Sequence, residues 1–410
     1  MPVEAANGRR KTNKEILGKD MIKSIELFAG AGGLALGMAK AGFAHEAIID
    51  FNQYAMDNLR ENKRRKVAPV SKWPLIQDDV KNIRFSDFSR VDVISGGPPC
   101  QPFSIGGKHQ GFLDSRDMFP EAVRAVREQQ PRAFIFENVK GLLRQSFAKY
   151  FEYVILQLSY PEVTRKPREE WLDHLSRLER IHTKGNHEGL HYNVVFRLLN
   201  AADYGIPQKR ERVFMVGFRS DLKIEWSFPE PTHSREALQY SKHVTQEYWE
   251  RHCVPKSKRP KPESARAIRL SDGLLPWKTV RDAIADLPDP RKCREDECLN
   301  HRIMLGARSY PGHTGSPIDE PAKTLKAGDH GVPGGENMVL YPDGEVRYFT
   351  VRESARLQTF PDNYFFCGSW TESMRQIGNA VPVELARTVA KDVKEHLIQH
   401  EKKARVNTFN

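Results

Sequence analysis

Cys100 stands in the segment Gly96-Gly97-Pro98-Pro99-Cys100-Gln101-Pro102-Phe103-Ser104. A lone cysteine is usually a small core residue, but this turn is too rich in proline and glycine for core packing. A thiolate is a strong nucleophile, and a free thiol ionises only near pH ~8.5, so a neighbouring cation or helix end must help. Glu137 closes the apolar run Ala133–Glu137 within Phe136-Glu137-Asn138-Val139. A carboxyl there is partly desolvated, which raises its pKa and keeps its acid form near neutrality; the plain alternative is a helix N-terminal carboxylate. Arg210 and Arg212, in Gln208-Lys209-Arg210-Glu211-Arg212, can bind a phosphate or brace Glu137, or be surface charge. Nucleophile, acid and cation together suit covalent addition to an electron-poor ring, with the acid neutralising the charge that the addition creates.

A second group of residues suits a nucleotide-like ligand. Phe28-Ala29-Gly30-Ala31-Gly32-Gly33 follows an apolar strand and opens a helix. Glycines allow close backbone approach, and a helix N-terminus offers free N–H groups. This turn alone fits NAD or FAD equally well. Asp50 ends the next strand roughly twenty residues on, where a carboxylate takes ribose hydroxyls; its plain reading is a strand-end cap. Phe51 can stack on adenine, and Asp79 before Val80 can meet the adenine edge.

These residues need a sheet whose carboxyl edge gathers them. From Ile22 to Phe218, apolar strands (Ser24–Phe28, Glu46–Asp50, Val91–Gly96, Ala133–Glu137) alternate with amphipathic helical stretches, the pattern of an α/β, doubly wound, mostly parallel sheet. Tyr192–Leu199 and Arg212–Phe218 are joined by a link too short for a crossover helix, so the sheet should finish in a reversed hairpin. That ending is more typical of methyltransferases than of dehydrogenases. Residues 145–190 hold a charged helical insertion. From 219 to 345 prolines and glycines are dense and helical periodicity is poor, which reads as a second, irregular domain. Residues 346–398 return to the first domain, with Leu385, Val389, Val393 and Leu397 as one helix face after Pro382. A basic tail over 1–20 and a loose tail over 399–410 complete the division.

The chain has 410 residues, long enough for two lobes, and a net charge of +11. An excess of lysine and arginine favours a polyanionic partner. Residues 251–270 hold seven Lys/Arg against the single acid Glu263, either a solvated loop or a strip facing DNA. No apolar run approaches the ~20 residues of a bilayer span, no secretory signal opens the chain, and five scattered cysteines form no disulfide framework. A reducing, cytoplasmic setting is expected.

The chemical groups fit one reaction. Carbon 5 of cytosine is a poor nucleophile until a thiolate adds at carbon 6, and a stacked base must flip out for that to happen. Phe28–Gly33, Pro99–Ser104, Glu137–Val139, Gln208–Arg212, Arg352–Pro361 and Gly378–Pro382 occur in this order, and with them the chain resembles the DNA cytosine-5 methyltransferase family of bacterial restriction–modification systems. The resemblance implies Cys100 as nucleophile, Glu137 at N3 of the base, and Arg212 orienting it beside Arg210. It implies S-adenosylmethionine held by Phe28, Gly30, Ala31, Gly32, Gly33, Asp50, Phe51, Asp79, Val80, Pro99, Met118, Asn379 and Val381. It also implies DNA contacts at Gln101, Ser104, Thr324 and Leu325, with 219–345 as the target-recognition domain and the glycine-rich Gly328–Gly335 as a close approach or a plain turn. The implied setting is a monomer on double-stranded DNA in the bacterial cytosol, at the nucleoid, paired with an endonuclease of the same specificity. A tRNA cytosine-5 methyltransferase shares this core, but its Cys-Phe-Thr signature is missing here. A catalytically silent DNA-binding protein is a further alternative, and Cys293, Cys298 and His301 lack the paired spacing of a structural zinc site, so no metal is expected.

Overall fold

The structure, a computed structural model, describes residues 21–99, 117–262, 273–294, 298–327 and 335–408. The expectations for Cys100, Gln101, Ser104, the 1–20 tail and 328–334 lie outside those residues. A seven-stranded sheet runs in the order β3-β2-β1-β4-β5-β7-β6. Its strands are β1 (Lys23–Leu27), β2 (Ala44–Asp50), β3 (Leu75–Gln77), β4 (Val93–Gly96), β5 (Ala133–Val139), β6 (Tyr192–Asn200) and β7 (Glu211–Arg219). The first five pair in parallel. β7 lies antiparallel to β5 and β6, from Tyr192↔Arg219 to Asn200↔Glu211. The fold is therefore the mostly parallel α/β sheet with a reversed hairpin that the sequence pattern predicts.

Helices cover both faces because the strands are apolar on both. On one face, Ile25, Leu27, Ile94, Phe134 and Phe136 pack with Phe119, Val123 and Val126 of α3 (Phe119–Gln129) and with Val154 and Leu158 of α4 (Ala148–Ser159). The other face carries α1 (Gly33–Lys40) and the long α11 (Val383–Thr408). Between β2 and β3 lies α2 (Gln53–Arg64). Leu385, Val389, Val393 and Leu397 are all fully buried, each worth about 1.5–3 kcal/mol relative to exposure. α11 runs on through 399 to Thr408, where a loose tail was expected. Arg132 holds it there, donating to Leu397 O at 3.0 Å and pairing with Glu401.

The charged insertion builds a small core of its own. Tyr153 and Leu156 of α4, with Tyr160 just after it, pack on Leu175 and Leu178 of α5 (Trp171–Lys184). The described residues of 219–345 form short elements: α6 (Arg235–His243), α7 (Glu247–Arg251), α8 (Val280–Ile284) and strands of two small sheets. Polar ties hold them where apolar periodicity is weak. Tyr248 Oη bonds Asp319 at 2.8 Å and Thr279 at 2.9 Å, and Lys242 pairs with Glu320 at 2.8 Å. Ile318, Ala322, Leu325 and Val339 join the cluster of Ala31, Leu36, Phe349 and Tyr364, so this region packs directly behind the glycine turn. The remaining helices, α9 (Val351–Leu357) and α10 (Trp370–Asn379), lead into α11.

Candidate active site

At the carboxyl edge of β1–β4 lies a pocket of about 280 Å³, lined by Phe28, Ile49, Asp50, Phe51, Asp78, Asp79, Val80, Lys81, Pro99 and Met118. Phe28 adopts φ +55°, a left-handed conformation that bulky residues rarely take without a compensating role. Asp50 is buried, and each carboxylate oxygen accepts one backbone N–H: Gly30 N at 2.7 Å on Oδ2 and Asn52 N at 2.7 Å on Oδ1. Desolvation nonetheless raises its pKa, against those two bonds and the Arg375 charge. Phe51 is 66% exposed, an aromatic face free to stack. Met118 N donates to Pro99 O at 3.0 Å, which ties the start of α3 to the end of the Pro-Pro turn.

Other residues expected at this site build its walls instead of its lining. Ala31 is buried and its carbonyl accepts Tyr364 Oη at 2.7 Å. Gly33 abuts Val381 O so closely that a Cβ there would collide, which brings the C-terminal motif onto the glycine turn. Gly32 lies against Leu59, Trp73 and Tyr364. Val381 is buried and Asn379 is exposed at the end of α10. Ile49, Asp78, Lys81, Tyr364 and Arg375 were not singled out from the sequence. Asp78 and Lys81 flank the expected Asp79–Val80 and were within reach, whereas Tyr364 meets Ala31 across 333 residues and leaves no local signal.

Glu137 lies near the carboxyl end of β5, two residues before its last residue Val139. Val139 is opposite Arg212 in the β5–β7 register, so Arg212 and Glu137 are diagonal neighbours on one face. Arg212 Nε lies 2.9 Å from Glu137 Oε1 and both side chains are about nine-tenths buried. Burial pushes the Glu137 carboxyl above its usual range, and Arg212, then Arg210, draw it part of the way back. A Cβ at Gly97 would sit 3.5 Å from Glu137 Oε2, and Asn138 Nδ2 donates to Pro98 O at 2.8 Å. The turn leading to Cys100 therefore starts against this acid.

Arg210 does not reach outward to bind a phosphate. It is fully buried and donates to Leu325 O at 3.2 Å, Gly378 O at 2.6 Å and Ala380 O at 2.9 Å. Two of those carbonyls belong to the C-terminal end of α10, which favours a cation. Leu325 also departs from its expected place on DNA, since its side chain is 1% exposed within the apolar cluster. Its N–H donates to Gln208 Oε1 at 3.1 Å. Thr324 beside it is exposed, with Oγ1 donating to Lys209 O at 2.7 Å. Both ring nitrogens of His301 are engaged, by Thr350 Oγ1 at 2.9 Å and Pro288 O at 2.8 Å, which leaves neither for a metal.

The family model described as C-5 cytosine-specific DNA methylase matches residues 22–160 and 172–395. The chain belongs to that family. The methyltransferase is 30% identical over 402 residues to the Type II methyltransferase M.FnuDI of Fusobacterium nucleatum, covering 93% of this chain and 96% of that one. It is 32% identical over 379 residues to M.PspPI of Psychrobacter sp. (strain TA137), covering 90% and 78%. The S. pombe Dnmt2 methyltransferase shares the fold with a TM-score of 0.53 at 17% identity, over 92% of this chain and 99% of that one. The protein is thus a DNA cytosine-5 methyltransferase by family, with the pocket and the Glu137–Arg212 pair side by side on its sheet edge.

Proposed function

We propose that this methyltransferase modifies carbon 5 of a flipped cytosine in a specific duplex sequence through a covalent bond to Cys100. The observation that carries the reading is the buried Glu137–Arg212 pair, facing the turn that leads to Cys100. Glu137 gives a proton to N3 of the base as the Cys100 thiolate adds at carbon 6, leaving carbon 5 nucleophilic. When carbon 5 later gives its proton to solvent, Cys100 departs as thiolate and Glu137 takes its own proton back from N3. Arg212 keeps the acid in place and orients the base.

The residues present fit S-adenosylmethionine. Phe28, Val80, Pro99 and Met118 supply apolar contact, Phe51 an exposed ring, and Asp50 a carboxylate with lone pairs left after its two backbone bonds. When bound, the cofactor supplies a methyl group on a positively charged sulfur. Gly30, Gly32 and Gly33 shape the turn beside it, against which Val381 O closes at Gly33.

The DNA sequence is best read from 219–345. In the described part of the basic strip at 251–270, which ends at 262, Arg251 pairs with Asp282 at 2.8 Å and Arg259 donates to Val254 O, while Lys256, Lys258 and Lys261 are exposed. Residues 302–314 carry no acid, present Arg302, Arg308, Leu305 and Tyr310 at the surface, and reach Lys323 through Thr314 at 3.0 Å. Lys323 precedes Thr324, so this loop shares a rim with the chemical site. Relatives named Type II methyltransferases support a restriction–modification role in the bacterial cytosol beside an endonuclease of matching specificity. Duplex DNA carrying 5-fluorocytosine should trap an adduct that peptide mapping places on Cys100, while tRNA should not. An adduct on Cys253 or Cys367, or transfer to tRNA alone, would refute the reading. Bisulfite sequencing of plasmid from expressing cells then gives the modified context.

A further inference from the structure

Just beneath the two loops, β1 and β4 carry a polar pair that the proposed reaction does not use. Glu26 and Ser95 are opposite one another in the parallel register. They are 1% and 0% exposed, and Ser95 Oγ donates to Glu26 Oε2. Ile25, Leu27 and Ile94 face the α3 layer, so alternation turns Glu26 and Ser95 toward α1 and α11. A central parallel strand is normally apolar on both faces, and burying a carboxyl with one hydroxyl partner costs more than burying a valine. Among the described residues no cation offsets that cost: burial pushes Glu26 up to about 8, and only Ser95 acts the other way. His45 of β2, bonded to Ser24 and to Ala35 O, is held neutral by its own burial. Burial therefore favours the uncharged form of Glu26.

Its place in the chain gives the pair a use. Glu26 comes two residues before Phe28, and Ser95 lies just upstream of the Pro98–Pro99 turn. One step further along, Leu27 faces Gly96, where a Cβ would come within 2.6 Å of Leu27 O. The strands touch there at backbone distance and then diverge, one into the cofactor turn and the other toward Cys100. An apolar pair would fill the same space without fixing the offset of one strand along the other, whereas a hydrogen bond has a direction. We propose that Glu26 is a positioning residue whose bond to Ser95 sets the cofactor turn in register with the catalytic loop. This rests on the reading of those two loops given above.

Three variants of the full chain test it: Glu26→Gln, Glu26→Leu and Ser95→Ala, each assayed for kcat, KM for S-adenosylmethionine and Tm. Glu26→Gln can still accept from Ser95 and should keep kcat within about threefold. Glu26→Leu removes a costly buried carboxyl, so Tm should hold or rise. Its kcat should nevertheless fall at least tenfold at saturating cofactor, since a displacement of about 1 Å can cost ~10²-fold. Ser95→Ala should lose activity in the same direction, with Tm lowered because the buried carboxyl loses its partner. If Glu26→Leu proves unstable, Ser95→Ala decides, and a stable Ser95→Ala enzyme of full activity overturns the proposal. So does a Glu26→Leu enzyme of wild-type kcat and KM, or a Glu26→Gln enzyme as slow as Glu26→Leu. Trapping of wild-type enzyme on 5-fluorocytosine DNA is run alongside; its failure would indict the reaction itself and not the strand pair.

Discussion

Asp50 and Glu137 both lie near the carboxyl ends of strands in one sheet, and both are buried carboxyl groups, but they are held in opposite ways. Asp50 rests on two backbone amides, Gly30 N and Asn52 N. Those donors belong to the turn and the helix start, so the carboxylate is fixed as an acceptor facing the pocket. Glu137 is held by a side chain, Arg212, in a setting where burial still raises its pKa. One end of the edge is thus built to bind and the other to move a proton. A carboxylate anchored by backbone N–H groups can accept hydrogen bonds from a ligand without rearranging. One facing a guanidinium across a desolvated cleft can change its protonation state.

The widest separation of the two ends should come from Cys100→Ser. Methyl transfer should fall by at least ~10³-fold through loss of the nucleophile, while calorimetric titration shows S-adenosylmethionine still bound. Glu137→Gln should follow, with kcat down roughly 10²–10⁴-fold, the range for a general acid, and KM for the cofactor little changed. A comparable rise in KM would erase the distinction between the ends. Asp50→Asn should show the converse, a cofactor KM raised about tenfold or more as a charged acceptor is lost, with kcat at saturation nearly intact. Arg212→Gln tests the electrostatics by sign. Removing the cation leaves only Arg210 to oppose burial, so the Glu137 pKa should climb further and the alkaline limb of the kcat profile should move to higher pH; a shift to lower pH would contradict it. The smallest effect is expected from Arg308→Ala, which should weaken DNA binding and reduce the salt slope by about one, leaving cofactor titration untouched.

Both ends were legible in the chain to different depths. The strands, the reversed hairpin and the positions of Phe28, Asp50, Asp79 and Glu137 follow from local pattern, because each sits at a strand end next to its own turn. Arg210 and Leu325 did not read correctly from pattern. Nothing local says that a guanidinium at 210 will be claimed by carbonyls at 325, 378 and 380, contacts that exist only after distant segments meet. The 251–270 strip shows the same limit: it is basic along the chain, but only folding reveals that Arg251 pairs with Asp282 and Arg259 with Val254 O, and its residues 263–270 lie outside the described ones. The tail at 399 was missed because Arg132, which holds it, lies 269 residues earlier.

The contact of Val381 O with Gly33 has a consequence in time. The glycine turn is made early in synthesis, but the backbone that closes behind it, with Arg210's partners Gly378 and Ala380, emerges only near the end. A partly made chain can form most of its sheet and still lack a finished cofactor pocket. We expect chains stopped before Gly378 to bind no S-adenosylmethionine, which filter binding on ribosome-stalled chains would check; tight binding by such a chain would count against it. On this reading, activity switches on as a single late event, so a cell carries no half-built enzyme able to mark its DNA.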